Sequence, residues 1–291
     1  MTATTRPSIA ILGMGEMGAG IAKALAAAGY TVRTCLAGRS PESVARARAA
    51  GIETVATLGA LLAPSSVFLS LVPSDAAVEL AHSVAAARPD GRDLLFIEAN
   101  AISVRSLAGA RAAVERTGAA FVDAGIVGPP PGGKAQATVY LSGPQRARAF
   151  FLRDAGLAIA DLGDDVGAAS SLKLFFSGLN KGFNVLGLAV FAAAEQAGVA
   201  AHLYAALAQR APGLAARLDE QLPRLPSVAG RWAAEMTEVA DELAAQGQPP
   251  GFHTAAAAVL RSLAAAAPAD NAAASASDVA RILSRGTGRP S

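Results

Sequence analysis

Between Ser8 and about residue 165 the chain alternates short apolar runs with alanine-rich stretches of helical period. SIAIL (Ser8–Leu12), TVRTCL (Thr31–Leu36), SVFLSLV (Ser66–Val72), LLFIEA (Leu94–Ala99) and AFVDAG (Ala120–Gly125) read as strands, with ATVYLSG (Ala137–Gly143) as a further one. Short unbroken apolar runs bounded by turn residues fit strands buried on both faces. Helices are predicted over Glu16–Ala28, ended by Gly29, and over Ser43–Ala50, ended by Gly51. Strands alternating with helices predict a parallel sheet covered on both faces.

After Gly163 the strand pattern stops. Helices are expected over Ala168–Ala197, Ala200–Ala211, Ala229–Gln246, Thr254–Ala267 and Ser275–Leu283, with breaks at Pro223–Pro226 and Gln248–Gly251. Two domains follow: an α/β domain over residues 1–165 and an all-α domain over residues 166–291, with a loose tail from Arg285 to Ser291.

Composition narrows the class. Of the 291 residues, 52% are hydrophobic, yet much of this is alanine, which suits packed helices. The longest apolar stretch, Gly182–Ala194 between Lys181 and Glu195, is shorter than the roughly 20 residues that span a bilayer, so a buried helix is expected. The start MTATTRPSIA has no apolar signal core, and the single cysteine, Cys35, excludes an internal disulfide framework. Both point to the cytoplasm, with Cys35 as a small buried apolar residue. The net charge is +2 and the arginines are scattered, so neither nucleic acid nor membrane is expected as a partner. His82, His202 and His253 share no ligand spacing, and no metal is expected.

The strongest motif is Gly13-Met14-Gly15-Glu16-Met17-Gly18, a G-x-G-x-x-G between the first strand and the first helix. In that context Gly13 permits the tight turn, Gly15 lets the backbone approach a pyrophosphate, and Gly18 lets helix pack on strand. The helix N-terminus offers free N–H groups to phosphate. This is a dinucleotide fingerprint, and it predicts a Rossmann domain. Between Glu16 and Glu42 there is no acidic residue to hold a ribose hydroxyl. Arg39 and Ser40 stand there instead, and a guanidinium with a hydroxyl suits a 2′-phosphate. NADP(H) is therefore preferred, with NAD(H) possible. Arg33 lies mid-strand and is a poorer partner.

Four segments resemble the β-hydroxyacid dehydrogenase family, which includes 3-hydroxyisobutyrate and 6-phosphogluconate dehydrogenases: GMGEMGAGIAKAL, SLVPSDAAV (Ser70–Val78), FVDAGIVGPPPGGKAQATVYLSG (Phe121–Gly143) and GAASSLKLFFSGLNKG (Gly167–Gly182). The resemblance implies that Val72, Pro73, Ser74 and Asn100 flank the nicotinamide end of the cofactor. It implies that Val127, Gly128 and Pro129 touch substrate, and that a helical domain of phosphogluconate-dehydrogenase type builds a homodimer or homotetramer. Hydride transfer is expected between the two domains. Departures accompany it. The family's substrate-binding serine falls on Val127 and a glycine on Pro129. The asparagine four residues after the catalytic lysine is Ser177, and the His or Asn three after it is Phe176. The loop after the second strand is about two residues longer, and the implied pocket is more apolar.

Lys173 is the expected general acid/base. Reducing a carbonyl makes an alkoxide that must be protonated, and a partly desolvated lysine is suited to the task. Lys173, Ser177, Asn180 and Asn184 lie at i, i+4, i+7 and i+11, a polar stripe on one helix face. Leu172, Leu174, Phe175, Phe176, Leu179 and Phe183 fill the other directions, so the helix is expected to be largely enclosed, with Ser177 and Asn180 orienting substrate. Only four of the 25 basic residues are lysines, and lysine shifts its pKa where arginine does not. Lys181 is the alternative base. The expected activity is hydride transfer between NADP(H) and a small hydroxy acid or related carbonyl compound. An imine reductase of the same architecture and a non-catalytic nucleotide sensor are the competing readings.

Overall fold

The computed structural model describes residues 6–267 and 275–286. The chain folds as two compact units, Met1–Leu174 and Phe175–Ser291. The first is an eight-stranded sheet. It opens with β1 (Ser8–Leu12), α1 (Glu16–Ala27), β2 (Thr31–Cys35), α2 (Pro41–Ala49), β3 (Glu53–Val55) and α3 (Leu58–Leu62). It continues with β4 (Val67–Ser70), α4 (Ala77–Ala87), β5 (Leu95–Glu98), α5 (Val104–Glu115), β6 (Ala120–Val127), β7 (Thr138–Ser142) and β8 (Ala158–Asp161). The strand order is β3-β2-β1-β4-β5-β6-β7-β8. The order reverses direction between β1 and β4, the topological switch point where such sheets bind ligands at the strands' C-terminal ends.

Alternate strand positions feed opposite faces of this sheet. Ile9, Ile11, Val122 and Ala124 pack on one side with Ile21 and Leu25 of α1. Ala10, Leu12, Phe68, Phe96 and Phe121 pack on the other. Phe68, Phe96 and Phe121 occupy one register line and stack with ring centroids 5.2 and 5.7 Å apart.

The sheet departs from the expected pattern in three places. β6 pairs β7 antiparallel, so the sheet is not wholly parallel. The reason is the short connection, residues 128–137, which leaves no room for a crossover helix. β3 (ETV) carries no apolar run and β8 (AIAD) only a three-residue one: both are short edge strands with half-exposed or exposed residues, so alternation does not reveal them.

The second unit is helical. α6 (Ala168–Gln196) is one continuous helix whose first residues, Lys173 included, belong to the sheet unit. α7 (Ala200–Arg210), α8 (Pro212–Gln221), α9 (Leu225–Ala245), α10 (Gly251–Ala266) and α11 (Ala276–Gly286) follow. The expected break at Pro223–Pro226 is instead a 3₁₀ turn, Leu222–Arg224, that runs into α9. Pro212, Pro223 and Pro226 all sit in first turns, where a missing N–H costs nothing. Of the tail expected to be loose, Arg285 and Gly286 close α11 and residues 287–291 lie outside the described residues.

By length and composition α6 could cross a membrane. Its Ser177 and Asn184 are nevertheless buried and hydrogen-bonded to neighbouring helices, as in a packed bundle.

Candidate active site

The turn from β1 to α1 is tight at two glycines and open at the third. Gly13 has φ 109°, and a Cβ there would lie 2.0 Å from the Leu71 carbonyl oxygen. A Cβ on Gly18 would lie 1.9 Å from the Gly13 oxygen. At Gly15 a Cβ would meet nothing within 4 Å. Gly15 is also the N-cap of α1, and no side chain caps that end. The first-turn N–H groups thus stand behind a residue whose side-chain space is empty, the cradle a phosphate needs. Met14 is buried in the sheet core, so it offers only backbone; Glu16 is exposed and Met17 half-buried.

Between β2 and α2, Arg39 is exposed in a turn closed by its own N–H to Leu36 O at 3.1 Å. Ser40 caps α2 by accepting from Ser43 N at 3.3 Å, with Pro41 at the first helical position. Arg33 is committed elsewhere: it pairs with Glu53 at 2.8 Å and donates to Ser8 Oγ at 3.3 Å.

Across the central strands, at the ends of β4, β5 and β7 and midway along β6, lies a polar row that the motif reading did not single out. Ser70, Glu98, Asp123 and Ser142 are register neighbours across β4, β5, β6 and β7, and all four are fully buried. Asp123 anchors the helix that carries Lys173. Its Oδ2 accepts from Gly167 N (2.9 Å), Ala169 N (3.1 Å), Ser170 N (3.1 Å) and Ser142 Oγ (2.8 Å), and its Oδ1 from Ser170 Oγ (2.5 Å). A carboxylate at a helix N-terminus is favoured by both the free N–H groups and the dipole.

Gly125 makes the next step possible. A Cβ there would lie 2.5 Å from Ala169 O and 3.1 Å from Lys173 Cβ, so only glycine lets α6 lie this close to β6. Lys173 then reaches the end of β5, where its Nζ donates to Ala99 O at 3.0 Å. The next residue, Asn100, turns inward. Its backbone N–H donates to Glu98 Oε1 at 3.0 Å, and its Nδ2 donates to Ser70 Oγ at 2.7 Å and to Glu98 Oε1. Burial pushes the Glu98 carboxyl up to about 8, although bonds from Asn100 and Ser70 and the Lys173 charge oppose the rise.

The structure thus brings Lys173 and Asn100 together around Ala99. It also brings Gly13 against the loop after β4, where Val72 is buried, Pro73 exposed and Ser74 buried at the start of a 3₁₀ turn. Val127 ends β6 opposite Thr138, and Gly128 has φ 122°, with Ala137 Cα 2.7 Å from where its Cβ would stand. Pro129 is exposed, and the following Pro130 and Pro131 pack over Gly20 of α1.

In the helical unit the stripe on α6 is anchored by two other helices. Ser177 Oγ and Lys181 Nζ both donate to the Glu235 carboxylate of α9, and Lys181 lies 5.1 Å from the Trp232 ring centre. Burial pushes the Lys181 ammonium down and Glu235 opposes it. Arg217 of α8 donates to Asn180 O at 2.7 Å, to Asn180 Oδ1, and to Asn184 Oδ1 at 3.1 Å. The expectation of an enclosed helix is corrected here. Phe175, Phe176 and Phe183 are 39%, 50% and 39% exposed and Leu179 is 79% exposed, while Ser177 and Asn184 are buried. The polar side faces the bundle because Arg217 and Glu235 satisfy it there.

His82 and His202 are exposed, and His253 is half-buried with Nε2 3.2 Å from Gly178 O. Among the described residues no group of His, Cys, Asp or Glu has an arrangement that could hold a metal ion.

Residues 8–151 match the NAD-binding domain of 6-phosphogluconate dehydrogenase, and residues 194–263 match a domain of unknown function, DUF1932. A glycerol-3-phosphate dehydrogenase [NAD(P)+] of Thioalkalivibrio sulfidiphilus is 36% identical over 106 residues. That match covers 32% of this chain and only 31% of the relative. Among solved structures, Mycobacterium tuberculosis 3-hydroxyisobutyrate dehydrogenase with L-serine has TM-score 0.68 at 23% identity, covering 96% of this chain and 99% of that one. A conserved protein of unknown function with structural similarity to 3-hydroxyacid dehydrogenases has TM-score 0.62 at 26% identity, covering 87% and 96%. With the glycine turn, the strand order and the α/β-then-helical architecture in place, the chain belongs to the β-hydroxyacid dehydrogenase family.

Proposed function

We propose that the protein is an NADP(H)-dependent oxidoreductase acting on a small hydroxy acid or a related carbonyl compound, with Lys173 as general acid/base. The observation that carries the reading is the β1–α1 turn. It is sterically closed to a side chain at Gly13 and Gly18 and open at Gly15, on the edge of the sheet where Lys173 meets Ala99. Backbone N–H groups of Glu16 and Met17 would hold the pyrophosphate, Arg39 and the Ser40 turn the 2′-phosphate, and the Val72–Ser74 and Asn100 loops the nicotinamide end.

When bound, the cofactor supplies or accepts the hydride. Lys173 does the proton half: as ammonium it protonates the oxygen that becomes alkoxide, and as amine it takes the proton back in the reverse direction. The Ala99 carbonyl fixes its Nζ. Ser177 stands about one turn further along α6. Its hydroxyl is buried and donates to Glu235, so it would act by holding the helix, while Asn180, exposed and with its Oδ1 accepting from Arg217, would offer its amide N–H to substrate. Val127, Gly128 and Pro129 would supply the less polar wall. The buried free thiol of Cys35 suits the reducing cytoplasm.

The same α6 supports a homodimer. Phe176, Leu179, Phe183, Leu186 and Val190 follow a 3-4-3-4 spacing and are all at least 39% exposed. That is the seam spacing with which helices pack against one another.

The test is NADPH oxidation with a panel of small keto acids, aldehydes and cyclic imines. Turnover of a carbonyl acid that falls at least about 100-fold in Lys173→Met, with NADPH affinity kept, supports the reading. Turnover of imines alone, indifferent to Lys173, assigns imine reduction instead. No oxidation of NADPH with any of them removes the assignment.

A further inference from the structure

Glu98 is a buried acid for which the reaction sketched above has no use. It ends β5, has zero exposure, and its Oε2 is buried without a hydrogen-bond partner. Such an atom carries a large desolvation cost, so something must repay it. Its other oxygen, Oε1, receives both the backbone and the side-chain N–H of Asn100. Between these two residues stands Ala99, whose carbonyl binds the Lys173 ammonium. One carboxyl therefore clasps the turn that presents the lysine's acceptor.

The charges around it are few. Lys173 of α6 is the cation whose field reaches Glu98. Asp123, its register neighbour on β6, spends its oxygens on the N-terminus of α6 and on Ser142 and Ser170. β4 offers the uncharged Ser70, and α5 begins at the uncharged cap Ser103, with Arg105 exposed. The Lys173 charge acts on the buried Glu98 carboxyl, so the protonation of each depends on the other.

We propose that Glu98 is a positioning residue for Lys173: it fixes the Ala99–Asn100 turn that orients the ammonium, and its buried carboxyl governs how readily that ammonium gives up its proton. This rests on Lys173 being the acid/base. With Glu98 ionised the lysine holds its proton; with Glu98 neutral it releases it more easily. The rise of the carboxyl to about 8 places that change near working pH.

The experiment reads Lys173 itself, without turnover. The full-length protein is acetylated with acetic anhydride across pH, and each lysine is followed by mass spectrometry in wild type, Glu98→Gln and Glu98→Asp. The reactivity midpoint of Lys173 should fall by at least about half a pH unit in Glu98→Gln and recover in Glu98→Asp, while Lys23 and Lys134 stay put. A reciprocal arm uses carboxyl ¹³C NMR: in Lys173→Met the Glu98 titration should move up by a similar amount. An unmoved Lys173 midpoint in folded Glu98→Gln, or an unmoved Glu98 titration in Lys173→Met, overturns the proposal. Both readouts are independent of cofactor oxidation. Failure of the oxidoreductase reading would appear instead as absent turnover with these shifts intact.

Discussion

Asp123 holds Ser170 twice: Oδ1 accepts from its hydroxyl at 2.5 Å and Oδ2 from its backbone N–H at 3.1 Å. The residue three positions on is Lys173, so the pair sets both the start of α6 and the height at which the lysine meets β5. In Asp123→Asn an amide N–H would point at the helix's own donors. Urea unfolding should show a loss of about 3 kcal/mol, from an unsatisfied buried cluster and a lost N-terminal charge. A loss below about 0.5 kcal/mol would mean that α6 is anchored by something else.

The three fingerprint glycines should separate by experiment. Gly15→Ala adds a methyl where nothing stands within 4 Å, at an ordinary φ of −70°. Its thermal midpoint should match wild type within roughly 2 °C, while cofactor binding falls. Gly18→Ala puts its methyl against the Gly13 carbonyl and should cost about 3 kcal/mol whether or not cofactor is present. Equal destabilisation of the two variants would show that the turn is purely structural.

The buried carboxyl of Glu98 makes stability depend on pH with a definite sign. Its folded pKa is raised from 4.5 to about 8, so the folded state favours the protonated form. Its contribution is fully present below the unfolded value and is lost as pH rises toward the folded one. At 1.36 kcal/mol per pKa unit the loss is on the order of 4 kcal/mol between pH 4.5 and 8. Denaturant melts at pH 5 and pH 8 should therefore differ in wild type and differ less in Glu98→Gln. Parallel pH dependence in both proteins would contradict the burial argument.

In the helical unit, Glu235 binds Lys181 and Ser177 at little exposure. Removing one charge strands the other. Glu235→Gln should cost about 3 kcal/mol, and the double variant Glu235→Gln/Lys181→Met should recover at least half of it, read by urea denaturation. Simple additivity would mean that the pair is not coupled.

If the α6 stripe is an interface, Leu179→Glu together with Leu186→Glu should convert a dimer to a monomer in light scattering. A wild-type monomer at micromolar concentration would refute the dimer outright.

Much of this was legible in the residues. The apolar runs located six strands because four of them are buried on both faces and β2 and β7 on one, and the glycine hexapeptide located the turn because its steric demands are local. β3 and β8 escaped because edge strands need no alternation. The polar row escaped for another reason. Ser70, Glu98 and Ser142 each look like the ordinary polar end of an apolar run and Asp123 like a lone polar residue within one, and only register makes them neighbours. The orientation of α6 was misjudged because its apolar residues outnumber its polar ones. What decides the buried side is the presence of Arg217 and Glu235 on α8 and α9, long-range partners that no window along the helix contains.

The measurement closest to the central claim is a nicotinamide-fluorescence titration of wild type and Arg39→Ala with NADPH and with NADH. The account predicts saturable binding of both, tighter for NADPH, with the substitution weakening NADPH about tenfold or more, roughly 1.4 kcal/mol, and leaving NADH nearly unchanged. Absence of binding by either nucleotide would contradict it.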